Sequence, residues 1–315
     1  MTALIFFLLF AAVLSFAMSW AIVFLSKLLK AGQSIREEGP EQHKKKAGTP
    51  TFGGIAVMLA FLIAVFIFVD LDAKTIALVL AAAGFSLIGF ADDYLKVRSG
   101  RNDGLLPAHK MALQITAAII FGSVLVFNFH ETTVSGLLRD LHFYLPWLYL
   151  PLIAFMMVGV SNAANLTDGL DGLLGGTALI AFMSFAVIAF RAAEYDVFGL
   201  CLAIAGALAG FLILNFNPAK IFLGDVGSLG LGALLAGVAI ILHKELLLII
   251  IGGVFVIETL SVIAQVAYYK LFKKRIFKMS PLHHHFELSG MKERSVVYMF
   301  WIAGAVLGIL GVMIG

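Results

Sequence analysis

Five carboxylates stand beside long apolar runs in this chain: Asp92 and Asp93 in GFADDYLK, Asp168 and Asp171 in NLTDGLDG, and Asp225 in FLGDVGS. A carboxylate near the hydrocarbon boundary is costly, so it needs a partner or a task. Clusters of oxygen donors suit a hard divalent cation such as Mg2+, and three on one membrane face would serve a charged substrate. Adjacent helical side chains diverge by about 100°, so Asp92 and Asp93 cannot serve one ion alike. One can hold a metal or act as a base while the other pairs with Lys96; the plainer alternative is an ion-paired helix end.

In SNAANLTDGLDGL, Asn162, Asn165, Asp168 and Asp171 recur every third residue, and Gly169 and Gly172 allow close approach of a ligand or backbone. This donor and acceptor set suits a ribose, a sugar or a hydrated metal, against the alternative of a capped break between helices. Asp225 reads as a metal ligand or as an N-cap. Phe222, three residues earlier, offers a ring for stacking a base, although phenylalanines in so apolar a chain usually face lipid.

The run His283–His285 stands in a basic loop. Neighbouring imidazoles seldom converge on one zinc, so phosphate contact or proton transfer is the better expectation. KKKAGTPTFGG brings Lys46 and Thr51 to Gly53 and Gly54, either as a positive-inside anchor or as a phosphate site at a helix start. Glu258, Ser261 and Gln265 share a helix face, which marks either a functional acid or interhelical hydrogen bonding. Cys201 is the only cysteine, so no intrachain disulfide can form.

The elements that must position these groups are membrane helices. Of 315 residues, 61% are hydrophobic and 13% charged, far below the roughly 25% charged of a soluble domain. An all-α, polytopic membrane protein is expected, with residues 1–315 as one integral-membrane domain. Ten spans are predicted at about 3–29, 52–71, 75–91, 111–129, 145–163, 170–190, 197–215, 226–243, 246–269 and 295–314. The first is too long for a signal-peptide core and lacks a preceding basic residue. Segment 135–147, SGLLRDLHFYLPW, reads as an amphipathic interfacial stretch. Eighteen of the 22 Lys and Arg flank the loops after spans 1, 3, 7 and 9. Those loops are therefore expected in the cytoplasm, with both termini outside and all five aspartates on the inner face.

Taken together, KKKAGTPTFGG, ADDYLK, NAANLTDGLDGL, NFNPAKIFLGDVGSLGLG and SPLHHHFE resemble the phospho-N-acetylmuramoyl-pentapeptide transferases, within the polyprenyl-phosphate N-acetylhexosamine-1-phosphate transferase superfamily. The resemblance covers essentially the whole chain, and PLHHHFE points to the muramoyl-pentapeptide branch. It implies transfer of phospho-MurNAc-pentapeptide from its UDP ester to undecaprenyl phosphate, giving lipid I and UMP, with Mg2+, in the first membrane step of peptidoglycan synthesis. Also implied are a bacterial inner-membrane location, a cytoplasmic active-site cleft, a homodimer and no nucleic-acid partner. Asp225 matches the metal ligand, and Asp92, Asp93 and His284 match catalytic positions. Asn165, Asp168 and Asp171 match positions facing nucleotide and sugar, and Phe222 matches the uracil-stacking residue. Lys46, Thr51, Lys96, Lys110, Asn162, Asn215, Ser228, Gln265 and His283–His285 match further polar positions of the substrate cleft. Phe52 departs from the family's usual Met, and RNDGLLPAHKM is looser than its usual link, which puts the placement of Lys110 in question.

Other readings make different demands. A sibling transferring GlcNAc-1-phosphate would keep the aspartates and change the histidine loop. A cation-coupled transporter would show an inverted repeat and mid-membrane acids, and no repeat is evident here. A membrane scaffold gives no reason for three acidic clusters on one face.

Overall fold

The computed structural model describes residues 2–29, 48–99, 104–130, 132–135, 142–144 and 147–315. Among them are α1 (Thr2–Leu29), α2 (Gly53–Phe68), α3 (Ala73–Ser99), α4 (Pro107–Ser123), α5 (Tyr149–Thr167) and α6 (Leu173–Arg191). These are followed by α7 (Tyr195–Asn215), α8 (Gly224–Ile241), α9 (Glu245–Ile251), α10 (Gly253–Phe272), α11 (Leu282–Leu288) and α12 (Glu293–Ile314). Nine helices among the described residues are long and apolar enough to cross a membrane. The all-α, polytopic expectation holds.

Several elements differ in their bounds from the expected spans. Span 52–71 shortens to α2, 16 residues, because Asp72 starts the next helix: its Oδ1 accepts the Thr75 N–H and hydroxyl, each at 2.7 Å. Span 75–91 lengthens to α3, so Asp92, Asp93 and Lys96 lie inside a helix rather than beyond its end. Span 111–129 begins earlier, with Pro107 at a helix start, and finishes in a π-helical turn, Val124–Asn128. Span 145–163 moves to α5, which places Asn162 and Asn165 in its last turns. Span 246–269 is broken at Gly252 into α9 and α10. In the segment read as interfacial, His142–Tyr144 is a strand, β2, antiparallel to β1 (Thr133–Ser135); residues 136–141 lie outside the described residues.

Helix α8 is the hub. It packs against α3, α5 and α2, and 83% of its most apolar window is buried, against 22% for α1. Its sequence, GDVGSLGLGALLAGVAII, makes this possible, since small residues let backbones approach where lipid gives no hydrophobic drive between helices. Phe66, Leu80, Ile120, Phe155 and Ile302 on the surrounding helices expose their side chains, as lipid-facing groups would.

Two close contacts fix the first turn of α8, which carries Asp225. A Cβ on Gly89 of α3 would run into the Asp225 carbonyl oxygen, and one on Gly54 of α2 into the Gly227 nitrogen. We expect Gly89→Ala to cost about 1–3 kcal/mol and to depress turnover as well, because the added methyl pushes on Asp225 itself. Thermal unfolding and activity measured on one preparation check this; an unchanged melting temperature would contradict the packing.

Candidate active site

The acidic cluster is assembled from α3 and α8. One carboxylate oxygen each from Asp92, Asp93 and Asp225 lies within 4.8 Å of the others. Asp92 and Asp93 are almost wholly buried, at 3% and 1% exposure. They divide their contacts as diverging helical neighbours must. Asp93 Oδ2 accepts the backbone N–H groups of Asp225 (2.8 Å) and Val226 (3.3 Å), and so caps the start of α8 from another helix. Asp92 Oδ1 accepts the Leu105 N–H at 2.8 Å, while its Oδ2 faces Lys96 (2.5 Å) and Lys110 (3.7 Å).

Both lysines also reach Asp225 Oδ2, Lys96 at 3.1 Å and Lys110 at 2.6 Å. Pro107 opens α4 and so sets the first turn that carries Lys110. The Asn165 amide donates to Asp225 Oδ1 at 2.8 Å and to the Ser228 hydroxyl at 2.9 Å. Three carboxylates therefore meet two ammonium groups. The donor set fits a hard divalent cation, since it offers carboxylate oxygens from three side chains within 4.8 Å of one another. Such a cation would take the place of an ammonium on Asp225 Oδ2.

The stretch 50–54 is stitched to 222–223 by main-chain bonds: Phe222 N–H to Pro50 O (2.8 Å), Gly53 N–H to Phe222 O (2.9 Å) and Gly54 N–H to Leu223 O (2.8 Å). Phe222, half-buried, is thereby held beside the buried Thr51. Gly224, at φ +75, makes the turn into Asp225. A Cβ there would strike Thr51 O, so the left-handed backbone and the crowding both require glycine. Lys46 lies outside the described residues.

The 165–171 loop splits in role. Asp168 follows α5, and burial, reinforced by the charges of Asp225 and Asp93, pushes its carboxyl up to about 8, with the Gly224 N–H opposing. Its protonated form can donate as well as accept. Asp171 turns away: its Oδ2 accepts from Asn217 Nδ2 (3.1 Å) and the Ala219 N–H (2.9 Å). Its own N–H goes to Glu293 Oε1 at 2.9 Å.

Several other expected cleft residues are spent on the scaffold. Asn215 accepts the Gly172 N–H and donates to Ile221 O. Gln265 accepts the N–H groups of Ile276 and Phe277. Asn162 donates to Gln114 Oε1 at 2.7 Å and to Val158 O. The three imidazoles do not converge: His283 meets Glu258, His284 meets Glu287, and His285 Nδ1 accepts the Lys278 N–H. Glu293 and Gln114 are contributors the sequence reading missed. Glu293 is only one charge in a basic loop, and Gln114 is one amide in an apolar run, so neither carries a motif.

The profile of glycosyl transferase family 4 matches residues 75–243, which span the aspartates and Lys110. A phospho-N-acetylmuramoyl-pentapeptide-transferase of Bacillus cytotoxicus is 50% identical over 309 residues, 97% of this chain and 95% of the relative. One from Bacillus subtilis (strain 168) is 47% identical over 315 residues, 99% and 97% of the two chains. The chain belongs to the phospho-N-acetylmuramoyl-pentapeptide-transferase family. Membership gives the acidic cluster its context: the family's conserved name is that of a transferase of a phosphorylated sugar–peptide, and the protein is a membrane-spanning enzyme of that kind. A third relative, from Bacillus pumilus, is 50% identical over 297 residues, 93% of this chain and 91% of its own.

Proposed function

We propose that the protein transfers phospho-MurNAc-pentapeptide from UDP-MurNAc-pentapeptide to undecaprenyl phosphate, forming lipid I and UMP in peptidoglycan synthesis. The observation that carries this reading is the meeting of Asp92, Asp93 and Asp225 with Lys96 and Lys110 at one end of a membrane helix bundle. Attack of one phosphate on another meets charge repulsion, and preorganised positive charge lowers that barrier most where water is scarce. Lys96 and Lys110 would receive the phosphates. Asp92 would take a proton from the lipid phosphate, a role supported by its Oδ2 lying on the lysine side while Asp93 Oδ2 accepts backbone N–H groups. Mg2+, held chiefly by Asp225, would supply further charge neutralisation on the pyrophosphate. Asn165, Ser228 and Asp168 are assigned to the sugar nucleotide, Thr51 and Phe222 to the uridine, and His284 to the phosphates.

An apolar groove of about 370 Å³ lies between α5 and α10, lined by Leu152, Phe155, Phe255 and Leu260 among others. It extends along α5 to Ala163, within a turn of Asn162 and Asn165, and supports a polyprenyl acceptor. By the placement of Lys and Arg, this end of the bundle is assigned to the cytoplasm and both termini to the outside of the bacterial inner membrane.

Donor selection tests the reading against its sibling. Purified protein given undecaprenyl phosphate is expected to release UMP from UDP-MurNAc-pentapeptide and not from UDP-GlcNAc; the reverse preference would overturn the muramoyl assignment. Phe222→Ala is expected to weaken UMP binding about 10- to 100-fold, as loss of about 1–3 kcal/mol of base stacking would. Calorimetric titration with UMP measures it, and an unchanged affinity would rule out the stacking role.

A further inference from the structure

Glu258 and His283 form a pair apart from the acidic cluster, and both side chains are 0% exposed. Glu258 lies on α10 and His283 opens α11. Glu258 Oε1 accepts the backbone N–H of His283 at 3.2 Å, and its Oε2 lies 3.2 Å from the ring Nδ1. An ionised carboxylate can only accept, so in its pair with ionised Glu258 it is Nδ1 that carries the proton.

The other ring nitrogen, Nε2, is buried with no hydrogen-bond partner among the described residues. It stands against Gly169, where a Cβ would run straight into it. The Gly169 hydrogen that occupies the side-chain direction therefore points at Nε2. A lone pair there meets a weak Cα–H donor, whereas an N–H there would meet another hydrogen. Which nitrogen bears the proton thus decides whether the ring edge accepts or repels the loop that contains Asp168. The tautomer is set by the partner of the opposite nitrogen.

Helix α10 also grips the neighbouring loop through Gln265, which accepts the N–H groups of Ile276 and Phe277. Another side of the same helix lines the apolar groove. One helix therefore borders the groove and holds the histidine run.

We infer that Glu258 is a positioning residue for transfer: it fixes the start of α11 and keeps the His283 proton on Nδ1, so that the bare Nε2 edge seats Gly169 and sets the 165–171 loop over the acidic cluster. Glu258 touches no reacting atom in this account; it acts through His283.

The test has two arms on the full-length protein in nanodiscs. The first is nitrogen NMR of histidine-labelled protein, with His283→Asn as the assignment control. It is expected to find the His283 proton on Nδ1 and a bare Nε2 in the wild type, and a wild type with the proton on Nε2 overturns the proposal. The second compares wild type with Glu258→Gln, whose amide can donate to Nδ1 and drive the proton to Nε2. This isosteric variant is expected to lose about tenfold or more in kcat, the scale seen when an orienting partner of a histidine is removed, while UMP affinity stays within about threefold. Wild-type kcat in a Glu258→Gln protein whose proton has moved also overturns it. The kinetic arm rests on the proposed lipid-phosphate transfer and the NMR arm does not, so a wild type that makes no lipid product counts against the function while the tautomer still judges this inference.

Discussion

Replacing Asp225 by alanine is expected to abolish turnover while leaving the helices intact. Among the described residues, Asp225 is the one side chain that Lys96, Lys110 and Asn165 all contact. Without it Lys96 keeps Asp92 and Asp93 and Lys110 keeps only Asp92, and the cluster loses the carboxylate best placed to hold a divalent cation. Loss of a single preorganised electrostatic group in such a site costs about 10²–10³-fold in rate; loss of the cation with it makes the defect larger. Little stability goes with it, because the fold uses the Asp225 backbone N–H, which still donates to Asp93 Oδ2. Rate and thermal unfolding measured together check both halves. Activity near wild type would remove Asp225 from the metal assignment, and a collapsed melting temperature would make its role structural.

The second large effect separates Asp92 from Asp93. Asp93→Ala is expected to lose activity and stability together, since it leaves the Asp225 and Val226 N–H groups without their acceptor at the buried start of α8. An orphaned buried N–H costs about 1–3 kcal/mol, and two of them shift the melting temperature visibly. Asp92→Ala is expected to lose activity with a smaller change in stability, because its partners are the Leu105 N–H and two lysines that retain Asp225. Equal stability in the two variants would contradict the division of labour between them.

Much of this was legible in the sequence, for physical reasons. Apolar runs near 20 residues register in hydropathy because every backbone polar group in lipid must be satisfied within a helix. The aspartates, lysines and Asn165 stand out because charge and amide beside such runs demand partners. What hydropathy missed depends on partners distant in sequence. The helix carrying Asp92, Asp93 and Lys96 continues to Ser99 because Asp225 and Lys110 complete its charge pairing. The ninth span reads as one run because both sides of Gly252 are apolar, and only packing against α12 and α5 shows the break. Asp168 and Asp171 look equivalent in TDGLDG, yet Asp171 is bound by Asn217 and Ala219, more than forty residues away. Glu258 was visible as a buried acid, but its histidine partner was not, because 25 residues separate them.

The most direct measurement is product formation by the wild-type protein. Purified and reconstituted with undecaprenyl phosphate and labelled UDP-MurNAc-pentapeptide, it is predicted to form lipid I and UMP in equal amounts with Mg2+ present, and none once the cation is chelated. Failure to form lipid I with Mg2+, or an undiminished rate after chelation, would contradict a metal-dependent phosphoryl transfer at Asp92, Asp93 and Asp225.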